Sequence, residues 1–439
     1  MYWIDVTAQR AAFTANPKMK FILDIDFSGY PRAAVNPPWD GGWIFKKDRA
    51  GNPWMSVACQ GLGASVWYPC KDHQSDEPDQ GARLNIIVPD TLSAVANGRL
   101  IGKKTIAPNK QQWSWSVTSP INNYNLIPYI GRYSQYSDTL MGEGNKKLDL
   151  NYWVLSEDLE KAKPHFDRDV KRMLRAFEYW FGPYPFYRDG FKLVQAPHLG
   201  MEHQSAIAYG NQFKNGYMGR DLSGTGWGLG WDYIIVHESG HEWFANNITT
   251  RDIADMWVHE GFTMYSEVLF VDYHYGRKAA DAYAQGLRRS IQNDQPLIAE
   301  YGVNKEGSGD IYNKGANLIH TIRELIGNDS LFRQILRGMN HDLALQPTSS
   351  REVEQYWTKR TGLDLQPIFD QYLRTTQVPK LEVRQVNEKT EYRWTNCLPD
   401  FRMPIRSAGS PTQTWISTQW TWFSSSLKPS SPSPNLYIQ

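Results

Sequence analysis

Apolar and polar positions alternate with a period of two in the first third of the chain. Leu84, Ile86 and Val88 share one face of a run, Trp113, Trp115 and Val117 share a face of another, and Asn97-Gly98 marks a turn. These signals predict strands and turns up to about residue 151. From there the period lengthens. Phe166, Val170, Met173, Leu174, Phe177, Trp180 and Phe181 recur at helical spacing until Gly182-Pro183 stops them. Further helices are predicted over residues 237–246, 260–273 and 312–326, the last carrying Leu318, Ile319, Ile322, Leu325 and Ile326 and ending at Gly327. After Val378-Pro379, extended patterns return around Leu381, Val383, Tyr392 and Trp394. The Ser/Pro-rich residues 424–434 read as a loop or frayed tail. The expectation is a multidomain α+β protein with an N-terminal β-domain (1–151), a mainly helical domain (152–378) and a small C-terminal β-module with its tail (379–439).

Composition narrows this only a little. At 439 residues the chain is too long for one ordinary core. With 47 Lys+Arg against 46 Asp+Glu, nothing argues for nucleic acid or an anionic membrane as partner. Cys59, Cys70 and Cys397 are too few and too scattered for a disulfide framework and read as small apolar residues. No stretch approaches the ~20 apolar residues of a membrane span, and the first twenty residues lack the design of a signal peptide. The sequence as written therefore implies a soluble, cytoplasmic protein; an export signal ahead of it would make it periplasmic or secreted.

Chemistry concentrates in His237-Glu238-Ser239-Gly240-His241 and, after eighteen intervening residues, Glu260. On a helix, His237 and His241 lie one turn apart on one face, so both imidazoles reach a single ion while Glu238 points at the adjacent water position. Glu260 is the candidate third ligand. Two His and one Glu leave the fourth tetrahedral position open, as in a catalytic zinc site. Trp231, Ile234 and Ile235 before the motif and Trp243 and Phe244 after it imply a buried helix, where unpartnered polar groups are costly. The expectation is one Zn2+ per chain, with Glu238 as general base and then general acid.

The run Val236–Phe244 together with Trp257-Val258-His259-Glu260-Gly261-Phe262 resembles the gluzincin zinc aminopeptidases, the group of alanyl aminopeptidase and leukotriene hydrolase. Leu199-Gly200-Met201-Glu202-His203 is similar to the family's Gly-x-Met-Glu-Asn signature, which there lies on a strand lining the cleft. Ile311-Tyr312-Asn313-Lys314-Gly315-Ala316 resembles its Tyr-x-Lys-Gly segment. Cys59-Gln60 and Tyr68-Pro69-Cys70-Lys71-Asp72 are similar in spacing to its Gln segment and Pro-Cys-x-Asp turn. The motifs stand in the family's order from about residue 30 to about 400. Relative to the family the N-terminal β-domain begins late, as though its first strands were missing.

The resemblance implies a thermolysin-like zinc-peptidase domain over 152–378 and a monomer acting on peptides with a free N-terminus. It gives Glu202 the substrate's ammonium, with Gln60 beside it and Gly200 and Met201 along the cleft, and it makes Tyr312 a donor to the oxyanion; a Tyr opening an apolar helix would otherwise read as core. His198 and His203 flank this segment and are placed at the first-residue pocket, while His259 reads either as a partner orienting a ligand or as a core imidazole. Two other functions compete. A thermolysin-like endopeptidase needs no amine anchor, which Glu202 and Gln60 argue against, and an inactive peptide-binding scaffold would not need the full set of His237, Glu238, His241, Glu260 and Tyr312. An epoxide hydrolase activity, also found in the family, is neither established nor excluded by any residue. Leu199 and His203 depart from the signature's Gly and Asn, departures that bear on specificity more than on chemistry.

Overall fold

The computed structural model describes residues 22–387, 389–406, 413–423 and 432–439, with Asp5, Thr7, Arg10 and residues 14–16. Met1–Pro31 and Arg32–Gln439 are separate units, and everything below concerns the second. Its alternating strands build two small sheets. In one, β1 (Gly42–Lys47), β2 (Pro53–Ala58), β4 (Ser93–Val95) and β7 (Tyr129–Gly131) run in the order β1-β2-β7-β4. In the other, β3 (Ala82–Pro89), β5 (Arg99–Ala107) and β6 (Lys110–Val117) run in the order β3-β6-β5. The register of β3 and β6 sets Leu84 opposite Trp115 and Ile86 opposite Trp113, so the two predicted faces are one face.

A third, five-stranded sheet carries the cleft. It consists of β8 (Tyr133–Met141), β9 (Lys147–Leu155), β10 (Phe191–Gln195), β11 (Gly200–Met201) and β12 (Ile207–Tyr209), in the order β11-β12-β10-β9-β8. The expected domain boundary at residue 151 falls inside β9. Both faces of this sheet are covered: Leu148, Leu150, Tyr152 and Val154 pack into the helical core, while Trp153 and Leu155 pack toward the N-terminal sheets. Trp153 meets Trp113 and Trp115 edge-on, with ring centroids 6.0 and 5.8 Å apart. Helix α1 (Leu159–Phe181) crosses from β9 to the parallel β10 and stops at Gly182, where φ is +95°, as the Gly-Pro pair predicts.

Helices α2 (Tyr233–Gly240), α3 (Trp257–Tyr275), α4 (Arg277–Leu287), α5 (Asn313–Ile326), α6 (Asp329–Asp342), α7 (Ser350–Thr361) and α8 (Gln366–Arg374) fill the helical part. Asp232 caps α2 by accepting from Ile234 N and Ile235 N at 2.9 and 3.2 Å. The helix predicted over 237–246 ends early, at Gly240. Phe244 (φ −124°, ψ 81°) and Ala245 (φ 148°, ψ −52°) leave helical angles because neighbouring groups take their hydrogen bonds elsewhere. The Phe244 carbonyl accepts from Thr263 Oγ1 at 3.3 Å, and Glu242 accepts from Tyr184 OH at 2.5 Å and Ser205 N at 3.0 Å.

Strands return at Lys380–Val386, Lys389–Thr395, Met403–Arg406, Gln413–Ile416 and Thr421–Phe423. Of the expected tail, 424–431 lie outside the described residues. Beyond them the chain is fastened: Arg288 donates to the Pro434 and Asn435 carbonyls at 2.8 and 2.9 Å, and Leu436 and Tyr437 are buried. No helix among the described residues is long and apolar enough to cross a membrane.

Candidate metal centre and active site

Two helices and one edge strand meet at a cavity of about 330 Å³ lined by His237, Glu238, His241, Glu260, Glu202 and Tyr312, among others. Helix α2 and its C-cap residue present His237 and His241 on one side, their ring centroids 5.1 Å apart. Helix α3 brings Glu260 against them: its Oε2 lies 3.5 Å from His237 Nε2 and 3.4 Å from His241 Nε2. A tetrahedral ion with ligands at about 2.0–2.1 Å needs donor separations of about 3.3–3.4 Å, close to what these atoms show. Glu260 Oε2 is buried without a hydrogen-bond partner. The other ring nitrogens are occupied. His237 Nδ1 is 2.7 Å from Glu267 Oε1 and 3.2 Å from Tyr233 OH, and His241 Nδ1 is 3.0 Å from both Thr263 Oγ1 and the Phe244 carbonyl. Both Nε2 atoms are thereby left for a ligand. The residues fit zinc.

Charge tells the same story. Burial opposes charge on every group here, yet Glu260 and Glu267 hold the His237 imidazole well above its ordinary range, and Glu260 raises His241 to about 9. Against its burial, Glu260 is held well below the usual carboxylate range by His241 and His237. Burial pushes Glu238 up to about 7. Its carboxylate lies against the edge strand, where a Cβ on Gly200 would stand 2.5 Å from Glu238 Oε1.

Glu202 follows the edge strand and is 3 % exposed. Gln60 Nε2 and Tyr124 OH both donate to its Oε1, at 2.8 and 3.0 Å, so Oε2 is the oxygen with capacity to spare. The Asp72 carboxylate, in the Pro-Cys-x-Asp turn, accepts from Ala64 N at 3.0 Å and fixes the loop after Gln60. Asn246 Nδ2 donates to the Glu202 carbonyl at 2.8 Å, tying that segment to the end of the zinc motif. Gly200 and Met201 line the same cavity. The Tyr312 ring stacks on His237 with centroids 6.0 Å apart and 25° between planes.

The close approach of α3 and α5 depends on two glycines. A Cβ on Gly315 would lie 2.9 Å from Gly261 Cα, and one on Gly261 would lie 3.2 Å from Gly315 Cα. Glu260 and Tyr312 sit beside this crossing.

Some expectations change. His203 is fully buried, with Nδ1 2.6 Å from Tyr129 OH, and does not line the cavity; it is an interior residue, so its departure from Asn places no ionisable group in the site. His198 lines a neighbouring cavity instead. His259 is the core imidazole of its two readings, its Nε2 accepting from Thr250 N at 2.9 Å, and Lys314 Nζ donates to the Thr375 carbonyl at 2.9 Å. Sequence reasoning missed Glu267, Thr263 and Tyr124. Glu260, Thr263 and Glu267 share one face of α3, a signal that could have exposed two of the three.

This constellation accords with the comparisons. Residues 166–372 match the pattern of the peptidase family M1 domain. The resemblance read from the motifs is borne out, and so is the fold class. The chain is 24 % identical over 428 residues to aminopeptidase B of Mus musculus, covering 89 % of this chain and 61 % of that protein. It is 22 % identical to leukotriene A-4 hydrolase of Xenopus laevis, covering 78 % of this chain and 55 % of the relative. The chain thus spans at most about three fifths of the curated relatives it matches. An M1 zinc metallopeptidase from Deinococcus radiodurans superposes with a TM-score of 0.64 at 21 % identity, over 80 % of this chain and 75 % of that one. A mutant of the Deinococcus radiodurans enzyme bound to a Tyr-Ser-Ala substrate gives 0.63 at 22 %, with the same coverage. The chain therefore shares its fold with these M1 zinc metallopeptidases.

Proposed function

We propose that the protein is a zinc-dependent aminopeptidase that removes N-terminal residues from peptides. The observation that carries this reading is Glu202, a buried carboxylate fixed by Gln60 and Tyr124 in the same cavity as Glu238 and the His237, His241, Glu260 set. A charged hydrogen bond from the substrate's ammonium to Glu202 would anchor the first residue and so determine which peptide bond lies over the metal ligands. An endopeptidase has no use for such a group.

His237, His241 and Glu260 would hold one zinc per chain, since the second acidic cluster among the described residues, Glu202, Glu238 and His241, shares His241 with the first. When bound there, zinc supplies Lewis acidity toward the scissile carbonyl and lowers the pKa of water. Glu238 takes the proton of the attacking water and delivers it to the leaving amine; its burial suits a group that must change protonation twice per cycle. Tyr312 donates to the oxygen that gains charge in the transition state. Every one of these groups comes from a single chain, and we take the protein to act as a monomer.

The decisive experiment compares aminoacyl anilides with their N-acetylated forms, with and without a zinc chelator. The free substrates are expected to turn over, the acetylated ones to be inert, and the chelator to abolish activity. Equal turnover of both forms would overturn the assignment to aminopeptidases.

A further inference from the structure

A second, larger cavity of about 670 Å³ adjoins the first, and Trp39, Leu199 and Tyr217 line both. Resting on the aminopeptidase reading, the direction of a bound peptide follows from the edge strand. With the amine at Glu202 and the cut at the His237–Glu260 cluster, the remainder must run past Gly200 and Leu199 toward His198, into this cavity. At about 3.3 Å per extended residue, the third to fifth residues of a substrate reach it.

Its lining has an unbalanced charge. Arg49 is taken up by Glu157 and Asp158, at 3.1 and 2.8 Å. Asp48 accepts from Asn52 N at 2.8 Å, a neutral donor that leaves its negative charge in the lining. Lys46, Lys47 and Lys161 also line the cavity and make no ion pair among the described residues; Lys161 Nζ lies 5.3 Å from the Phe213 ring centroid. His198, only 6 % exposed, has neither ring nitrogen in a hydrogen bond of normal geometry. Burial holds this imidazole to about 4, so at neutral pH it is uncharged, with one N–H to donate and one nitrogen to accept. The lining thus sets four cations (Lys46, Lys47, Arg49, Lys161) against three carboxylates (Asp48, Glu157, Asp158), a net of one positive charge, and its three lysines outside ion pairs, with the His198 N–H, leave a place for an anion on the substrate.

We propose that this cavity receives the substrate chain beyond the cut and selects peptides that carry a carboxylate at the third to fifth residue, with Lys46, Lys47, Lys161 and His198 as the selecting groups. A carboxylate there comes either from an acidic side chain or from the C-terminus of a short peptide. Aminoacyl anilides do not reach the cavity.

The test uses three heptapeptides with C-terminal amides, identical except for Glu, Gln or Lys at the fourth residue, and a tetrapeptide as free acid and as amide. Binding is measured by competition on the Glu238→Gln variant, so that the result does not depend on turnover, and kcat/KM is measured on the wild type. For one or two partly exposed charge pairs, the Glu peptide is expected to bind and react about three- to tenfold better than the Lys peptide. The ratio should shrink at high salt and reverse in Lys46→Glu/Lys47→Glu, with anilide turnover unchanged. A matching gain for the tetrapeptide acid over its amide assigns the C-terminus as a second source; a gain confined to the heptapeptides assigns side chains alone. Equal binding of Glu and Lys peptides to both proteins would overturn the inference while leaving the aminopeptidase reading intact. Failure of the anilides alone would strike that reading, since peptide binding is scored separately.

Discussion

Replacing Gly315 by Ala tests whether the crossing of α3 and α5 sets the geometry of the site. The new methyl would lie 2.9 Å from Gly261 Cα, 3.7 Å from Gly261 N and 3.9 Å from the Trp257 carbonyl. Carbon atoms in ordinary contact stand about 3.5–4.0 Å apart, so the helices must part by roughly 0.6–1.1 Å. The obstacle is backbone, and no rotamer change relieves it. Two terms compete in stability: Ala gains about 1 kcal/mol over Gly in a helix, and overpacking costs about 1–3 kcal/mol. The net loss is at most about 2 kcal/mol, a few degrees in Tm for a unit of this size. Function suffers more. Glu260 precedes Gly261 and Tyr312 stands three residues before Gly315, so parting the helices by about 1 Å separates a metal ligand from the oxyanion donor, and such a misplacement costs about 100-fold. The expected result is anilide turnover lowered 10- to 100-fold with Tm reduced by a few degrees and zinc content, read by atomic absorption, at or below one per chain. Gly309→Ala is the local control, because a Cβ there meets nothing within 4 Å. Turnover within twofold of wild type in Gly315→Ala would refute the argument.

Glu238→Gln should keep zinc but lose roughly 100- to 10,000-fold in kcat, whereas Glu260→Ala should lose the metal itself; metal analysis and kinetics on the same samples separate the two roles. For Tyr312→Phe, kcat should fall about 100- to 1,000-fold with KM nearly unchanged, and a change confined to KM would reassign the side chain to binding. Glu77 is driven up to about 7, chiefly by burial, with one oxygen lacking a partner. Because its folded pKa lies above the unfolded value of 4.5, its contribution is fully present below about pH 4.5 and lost as pH rises through 7. At 1.36 kcal/mol per unit, Glu77→Gln should gain up to about 3 kcal/mol over wild type between pH 4 and pH 8, read from urea midpoints; a pH-independent difference would show that Glu77 does not titrate in this range.

The parts of the site that the sequence displays are those carried by one element. His237, Glu238 and His241 lie within one helical stretch, and the 3.6-residue period alone puts both imidazoles on one face. The early end of that helix was hidden, because Trp243 and Phe244 continue its apolar pattern while the bonds that unwind it come from Thr263, Tyr184 and Ser205. Tyr124 was invisible for a similar reason: it bonds Glu202 across 78 positions of sequence. The misplaced His203 has a simpler cause. Neighbours in extended chain point to opposite sides, so once Glu202 lines the cleft, His203 next to it enters the interior and pairs with Tyr129.

The charges of the site also require a substrate of a particular kind. Glu202, Glu238, Glu260 and Glu267 are all buried around two imidazoles. Four carboxylates in a small, weakly solvated volume repel one another and lose hydration; they hold the two imidazoles protonated when these bind no metal, but as metal ligands the imidazoles are neutral and offset neither effect. On the proposed reading, a zinc ion contributes two positive charges and the substrate's ammonium a third. Moving a proton from water to Glu238 leaves hydroxide behind and changes no net charge, so the ion and a free N-terminus together bring the site to within one charge of balance. An N-acetylated peptide removes one positive charge and leaves the buried Glu202 carboxylate with only the neutral donors Gln60 and Tyr124. Exclusion of blocked substrates should then show mainly as weak binding, with a raised inhibition constant for the acetylated peptide rather than a slow step after it binds. Tight competitive inhibition by an acetylated peptide, at the affinity of the free one, would mean that Glu202 is neutralised by some other group.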